Sequence, residues 1–248
     1  MIIDFPKPQD MPSLRQLWQE AFGDSEEFLD IFFATAMHPH RCFTAKDGNS
    51  LAGALYWFDC SCRGKKVAYL YAVATAKSFR GQGVCHRLMT HTHQYLTQLG
   101  YAGTLLVPGE ESLFDFYANM GYSGFCPMEE IPYAAQGNAL LRPLDKTEFG
   151  CLRRTFLPEG AVVQEGENLD FLAAQCNFYA GNGFVLAARK EDNTLTILEL
   201  LGNPNQGIPT ALDCTNATLR NFGKGKPYGM YRPLTDDLAP TYFAFSFD

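Results

Sequence analysis

The segment Tyr69–His86, YLYAVATAKSFRGQGVCH, constrains this chain more than any other. Tyr69, Leu70, Tyr71, Ala72 and Val73 alternate aromatic and small apolar residues, as a strand does. Arg80-Gly81-Gln82-Gly83-Val84-Cys85 follows as a glycine turn. Leu88, Tyr95, Leu96 and Leu99 then recur at helical spacing up to a stop at Gly100. A strand, a tight glycine turn and a helix start together predict a pyrophosphate site. The first N–H groups of a helix have no partner within it, and the helix dipole favours negative charge there. Gly81 and Gly83 let the backbone approach an anion without a Cβ in the way.

Two nucleotide fingerprints do not fit. The turn holds no G-x-G-x-x-G, and no Lys-Ser/Thr follows its glycines, which removes the dinucleotide and P-loop patterns. It resembles instead the acyl-CoA signature of the GCN5-related N-acetyltransferases (GNAT), Arg/Gln-x-x-Gly-x-Gly/Ala, with Arg80, Gly83 and Cys85 in its fixed places. Downstream, a strand expected over Tyr101–Val107 leads into a short helix, Ser112–Met120. Phe116-Tyr117-Ala118-Asn119-Met120-Gly121-Tyr122 there resembles the family's second marker, an aromatic-Tyr pair shortly before Gly-Phe/Tyr.

The resemblance implies a mixed α/β GNAT fold, acetyl-CoA as co-substrate, and a set of site residues. Backbone groups of Val73 and Thr75 would pair with the pantetheine arm. Arg80, Gly81, Gln82, Gly83 and Cys85 would hold the pyrophosphate. Tyr117 would protonate the departing CoA thiolate as general acid. Each has a plainer alternative. Arg80 could be a solvated loop arginine, the glycines ordinary turn residues, and Tyr117 an aromatic packing beside Phe114 and Phe116. Cys85 departs from the family's Gly or Ala, and a thiol at a helix N-terminus can have a lowered pKa. Tyr69 and Tyr71 share a strand face and could line an acceptor pocket or fill core. The general base is open between Glu110 or Glu111 and the terminal carboxylate of Asp248, because relatives of this kind use a C-terminal carboxylate.

Composition narrows the partners. The net charge of −7 comes with no run of Lys or Arg, which argues against nucleic-acid binding. No apolar run reaches membrane-spanning length, and Met1-Ile2-Ile3-Asp4 meets an acid too early for a secretion signal, so a cytoplasmic protein is expected. The 8 cysteines are scattered through apolar segments and read as buried thiols rather than a disulfide framework. His91 and His93 lie two apart on a helix and face different directions, and Cys60-x-Cys62 has no matching pair, so no metal is expected.

The element order expected for residues 1–133 is β-α-α-β-β-β-α-β-α-β. Residues 134–248 repeat part of it. Helices over 148–156 and 168–180 precede a hairpin of strands 184–189 and 194–200. A helix over 210–222 and strands over 228–232 and 242–247 would complete a smaller copy. Its turn, Gly202–Gly207, lacks the Arg-x-x-Gly-x-Gly signature, so this second domain is expected to be degenerate. The arrangement resembles the multidomain acetyltransferases of the enhanced-intracellular-survival type. That resemblance is partial, since those proteins usually carry a third, sterol-carrier-like domain for which this chain is too short.

The function expected is direct transfer of an acetyl group from acetyl-CoA to a primary amine in a ternary complex. A non-catalytic acyl-CoA sensor and an acyltransferase for a longer acyl chain stand beside it. The amine, whether a small molecule or a peptide, is not legible, nor is the oligomeric state.

Overall fold

The computed structural model describes residues 1–133, 137, 139–204, 207–235 and 238–247. The chain divides into two compact units, Met1–Ser123 with Met230–Ala239, and Gly124–Gly229 with Pro240–Asp248. The division falls ten residues before the expected boundary at residue 133, and the first unit recovers a segment from far downstream. Hydrophobic pattern alone does not show where a late strand pairs.

In the first unit, β1 (Ile2–Asp4) is followed by helices α1 (Met11–Phe22) and α2 (Glu26–Thr35). Strands β2 (Cys42–Asp47), β3 (Ser50–Cys62) and β4 (Lys65–Thr75) come next. Then come α3 (Val84–Gln98), β5 (Gly103–Leu106) and α4 (Ser112–Ala118). The ladder runs β1-β2-β3-β4-β5, antiparallel except for the parallel β4–β5 pair. Helix α1 buries Leu14, Leu17 and Trp18 on one face and ends at Gly23. Ser25 caps α2 by accepting from the Phe28 N–H, with Glu26 and Glu27 complementing the dipole of the first turn. Asp10, in the N-cap position of α1, makes no side-chain cap; its carboxylate accepts from the Lys7 N–H and pairs with Lys46 at 2.5 Å.

Alternation along β3 sends its residues to opposite faces. Tyr56 meets Trp18 and Phe32 of the α1–α2 pair, at ring separations of 5.4 and 5.2 Å. Trp57 lies on the other face in a core shared with Phe43, Leu70, Leu88 and Met89, the last two from α3. Helices therefore cover both faces of this sheet.

The second unit contains most of β6 (Ser123–Pro132), then β7 (Arg142–Leu144), α5 (Lys146–Phe156), β8 (Val163–Gln164) and α6 (Glu167–Ala173). Strands β9 (Asn177–Gly181), β10 (Phe184–Glu191) and β11 (Thr194–Gly202), helix α7 (Ile208–Ala211) and strand β12 (Asn216–Phe222) complete it. Its ladder runs β6-β12-β11-β10-β9-β7, with β11 and β12 parallel. Asp145 and Glu148 form a capping box on α5, and Phe149 stacks on Phe178 at 4.1 Å. Arg153 reaches both carboxylate oxygens of Glu199, at 2.6 and 2.9 Å, and the Tyr242 hydroxyl donates to the same carboxylate at 2.8 Å. All three are buried, so removing either Arg153 or Glu199 would strand the other's charge at a cost of about 3–5 kcal/mol.

Three expectations for this half are corrected. The helix expected over 168–180 ends at Ala173, where the Gln175 and Cys176 N–H groups both bond to the Leu172 carbonyl. The chain then enters β9, where Phe178 turns inward onto Phe149. The helix expected over 210–222 is a four-residue helix followed by β12. That strand is hydrogen-bonded between β11 and β6, so pairing on both sides overrides its helical spacing. The strand expected over 242–247 is a buried, irregular segment with a single bridge between Ala161 and Tyr242.

Strand β13 (Lys226–Pro233) then carries the chain back. Its Met230–Pro233 portion belongs to the first unit and runs antiparallel to β5, with Tyr231 opposite Leu105 and Arg232 opposite Thr104.

Candidate functional site

The site is built where β4 leaves its neighbour. β4 pairs with β5 only over Val67–Tyr69, then runs on to Thr75 while β5 ends at Leu106. Between Tyr71 and Ala74 the register against β3 shifts, so Ala72 and Val73 share the space opposite Leu55, and Ala72 takes φ +47°. Such a bulge bends the strand and raises its twist. The Ala76 N–H donates to the Ala52 carbonyl of β3 at 3.0 Å. By alternation, Val73 and Thr75 turn their backbone groups away from β3, and the Thr75 carbonyl accepts from Arg80 Nε at 3.3 Å.

After a single turn of 3-10 helix at Lys77–Phe79, Gly81 and Gly83 take φ +75° and +73°. Gly83 begins α3 with no side-chain cap, and the first helical bond runs from the Arg87 N–H to the Gly83 carbonyl. The N–H groups of Val84, Cys85 and His86 therefore have no acceptor within the helix. A Cβ on Gly81 would meet nothing within 4 Å, and one on Gly83 only the Arg87 guanidinium at 3.7 Å. The space above these glycines is open. That is the requirement for an anion to sit against the backbone, and the residues fit a phosphate group on that ground. Close packing holds the helix start in place. At Gly53 of β3 a Cβ would lie 2.8 Å from the Ala74 carbonyl oxygen and 3.1 Å from the Val84 side chain.

A groove of about 430 Å³ joins these parts. Val73, Ala74 and Thr75 form one wall, and Arg80, Gly81, Gly83 and Cys85 form the end at the helix start. Leu113, Phe116 and Tyr117 of α4 form the opposite wall. Of the cofactor-binding residues and the general acid that the resemblance implies, Gln82 alone is absent from this lining; its side-chain amide donates to the Ser78 carbonyl at 3.1 Å.

The sequence reading missed Ala21, Phe22, Phe79 and His86, which also line the groove. Phe22 extends the Leu14–Trp18 series by one more turn and meets the Trp18 ring edge-on at 5.7 Å, yet it is 47% exposed. Phe116 beside it in the lining is 39% exposed. Tyr69 is buried and stacks on Phe58 at 5.9 Å, as core does. His91 packs edge-on against Phe43, while His93 is buried against Tyr122.

Burial raises the Tyr117 phenol above its usual pKa, with the Cys85 thiol adding to the shift, so Tyr117 holds its proton at neutral pH. Among the described residues nothing hydrogen-bonds the Tyr117 hydroxyl, which borders the groove. Burial also pushes the Cys85 thiol up to about 11. The lowered pKa that a helix N-terminus suggested for Cys85 is therefore corrected to a raised one, with burial as the cause. Glu110 accepts from the Ser112 hydroxyl at 2.5 Å, and neither it nor Glu111 lines the groove. Among the described residues no Asp or Glu lines it, and Asp248 lies outside the described residues.

All eight cysteines are free thiols, with Cys151 exposed. Among the described residues no helix is long and apolar enough to cross a membrane, and no group of His, Cys, Asp and Glu could hold a metal ion.

Comparison with known proteins agrees with this geometry. The family model described as "Acetyltransferase (GNAT) domain" matches residues 3–125. A GCN5-related N-acetyltransferase of Kribbella flavida aligns over 94% of this chain and 71% of its own, with TM-score 0.74 and 14% identity. Eis1 of Mycobacterium abscessus aligns over 94% and 74%, with TM-score 0.67 and 11% identity. A putative acetyltransferase of Pyrococcus horikoshii aligns over 98% and 95%, with TM-score 0.65 and 9% identity. These likenesses extend across both units and show the fold: a GNAT unit with a second, smaller GNAT-like one. No curated protein matches the sequence. Residues 3–125 are thus a domain of the GNAT acetyltransferases, a family of acyltransferases that draw on acyl-CoA.

Proposed function

We propose that the chain is an N-acetyltransferase that moves an acetyl group from acetyl-CoA to a primary amine by direct transfer in a ternary complex. One observation carries the proposal. A single groove has open helix N–H groups at one end and a protonated, unpaired tyrosine hydroxyl on its wall.

Bound acetyl-CoA would supply the thioester that the amine attacks. The glycine turn Arg80–Cys85 binds its pyrophosphate, through N–H groups and the charge of Arg80 rather than through Gln82. Val73 and Thr75 present backbone groups to the pantetheine arm as a neighbouring strand would. An N–H near Val73 and Ala74 donates to the carbonyl oxygen as charge gathers there. Tyr117 gives its proton to the sulfur, a role suited to a phenol that desolvation keeps neutral. No Asp or Glu among the described residues lines the groove; the amine attacks as its free base, and the proton it sheds on forming the amide passes to water. Free thiols throughout suit a reducing, cytoplasmic setting.

Tyr117→Phe keeps the ring and removes the proton donor. With an amine found by screening for thiol release from acetyl-CoA, its kcat is expected to fall by about 10²-fold with CoA affinity kept. An unchanged kcat would return Tyr117 to a packing role.

A further inference from the structure

Behind Tyr117 lies a buried polar chain that the proposed chemistry does not use. Arg232, on the returning strand β13, donates through Nη1 to His93 Nδ1 at 3.0 Å and to the Met120 carbonyl at 2.7 Å. His93 Nε2 and the Tyr122 hydroxyl are 2.8 Å apart, and that hydroxyl lies 2.7 Å from Thr104 Oγ1. His93, Tyr122 and Thr104 are all buried.

The direction of the chain follows from its first member. A guanidinium only donates, so His93 Nδ1 must accept. The His93 proton then sits on Nε2 and points at the Tyr122 oxygen, and Tyr122 donates onward to Thr104. Burial, with Arg232 adding to it, holds the His93 pKa down to about 3, which keeps that single arrangement at neutral pH.

The chain also ties together the pieces on which transfer would depend. His93 lies on α3, whose first turn forms the phosphate end of the groove. Thr104 lies on β5 and Arg232 opposite it on β13. Met120 and Tyr122 follow α4, and their N–H groups both bond to the Tyr117 carbonyl, at 2.9 and 3.2 Å. The Tyr122 ring meets the Tyr117 ring edge-on at 5.9 Å. Tyr117 is thus held at its carbonyl and at its ring by residues that Arg232 and His93 hold in turn.

We infer that Arg232, His93 and Tyr122 are positioning residues that fix the Tyr117 hydroxyl relative to the start of α3, so the first unit needs the segment returning after the second unit to align its general acid. This inference rests on the role proposed for Tyr117.

The test is a double-mutant cycle on the full chain, measuring kcat and the acetyl-CoA KM. Tyr122→Phe removes one hydroxyl and keeps the ring, and Arg232→Gln removes the charge. Each is made alone and together with Tyr117→Phe. Alone, each is expected to lower kcat by about 10-fold while KM stays within about twofold. In the Tyr117→Phe background that loss should disappear, since there is no proton donor left to align. A loss purely from weakened structure would persist in both backgrounds. Should Arg232→Gln fail to fold, Tyr122→Phe carries the test alone. An unchanged kcat in Tyr122→Phe, or equal losses in both backgrounds, overturns the inference while leaving Tyr117 as the acid. An unaffected Tyr117→Phe enzyme overturns the role of Tyr117 itself and this inference with it.

Discussion

The two units contain the same step, a strand feeding a crossover to a parallel neighbour, and they use it differently. In the first, β4 passes through Gly81 and Gly83 into the fifteen-residue helix α3 before β5. In the second, β11 passes through Gly202 into the four-residue helix α7 before β12. The glycines look alike in backbone terms, since Gly202 also has a positive φ, +94°. Their surroundings are opposite. Above Gly81 and Gly83 there is open space, whereas a Cβ on Gly202 would lie 2.3 Å from the Gly183 carbonyl oxygen and 2.8 Å from the Phe184 Cα. The first pair leaves a cradle, and Gly202, at the end of β11, is packed against the turn between β9 and β10. Helix α7 has Pro209 in its first turn and buries Ile208 in the core of its unit. The second unit does hold a cleft of about 330 Å³, but between α5 and α6, bordered by the ion pairs Lys146–Asp170 and Arg154–Glu165. A positive-φ glycine signals a phosphate site only where nothing else occupies its missing side chain.

Paired substitutions would break this comparison if it is wrong. Gly83→Val should lower CoA affinity by about 10²-fold or more, through lost charge-assisted hydrogen bonds, in a protein that still folds. Gly202→Val should do the reverse. It should cost about 2–5 kcal/mol of stability through overpacking and backbone strain, and leave CoA affinity unchanged in the folded fraction. Urea titration and calorimetry on the two variants check both halves.

A smaller effect sharpens the contrast between the buried polar groups. His93 of the first unit binds no proton when folded until about pH 3, whereas an unfolded histidine binds one below about 6.5. Its folded pKa is depressed, so the unfolded state holds more protons in that window, and stability falls as pH drops through it. The urea midpoint should therefore decline from pH 7 to pH 5, and less steeply in His93→Gln. Equal slopes would remove His93 from the account.

Much of the first unit was legible because its signals are local. The Tyr69–Val73 alternation, the Arg80–Cys85 turn and the Phe116–Tyr122 segment each fall within a few residues, and the groove gathers them. What escaped depends on distant pairing. Nothing near Arg232 says that it crosses back to stand opposite Thr104 and bond to His93. Phe22 lines the groove from the end of α1, where its spacing from Leu14 and Trp18 reads as core. In the second unit, Asn216–Phe222 has apolar spacing compatible with a helix, and only its place between β11 and β6 makes it a strand. The Cys85 thiol shows the same limit for electrostatics: its position at a helix start suggests a low pKa, and burial, invisible in sequence, reverses it.

The central claim is that one unit retains the cradle and the other has filled it. Calorimetric titration of the full chain with CoA tests this most directly. One CoA bound per chain in the parent protein, and none in the folded Gly83→Val variant, is the result predicted. Two CoA per chain, or a site that survives in Gly83→Val, would contradict it.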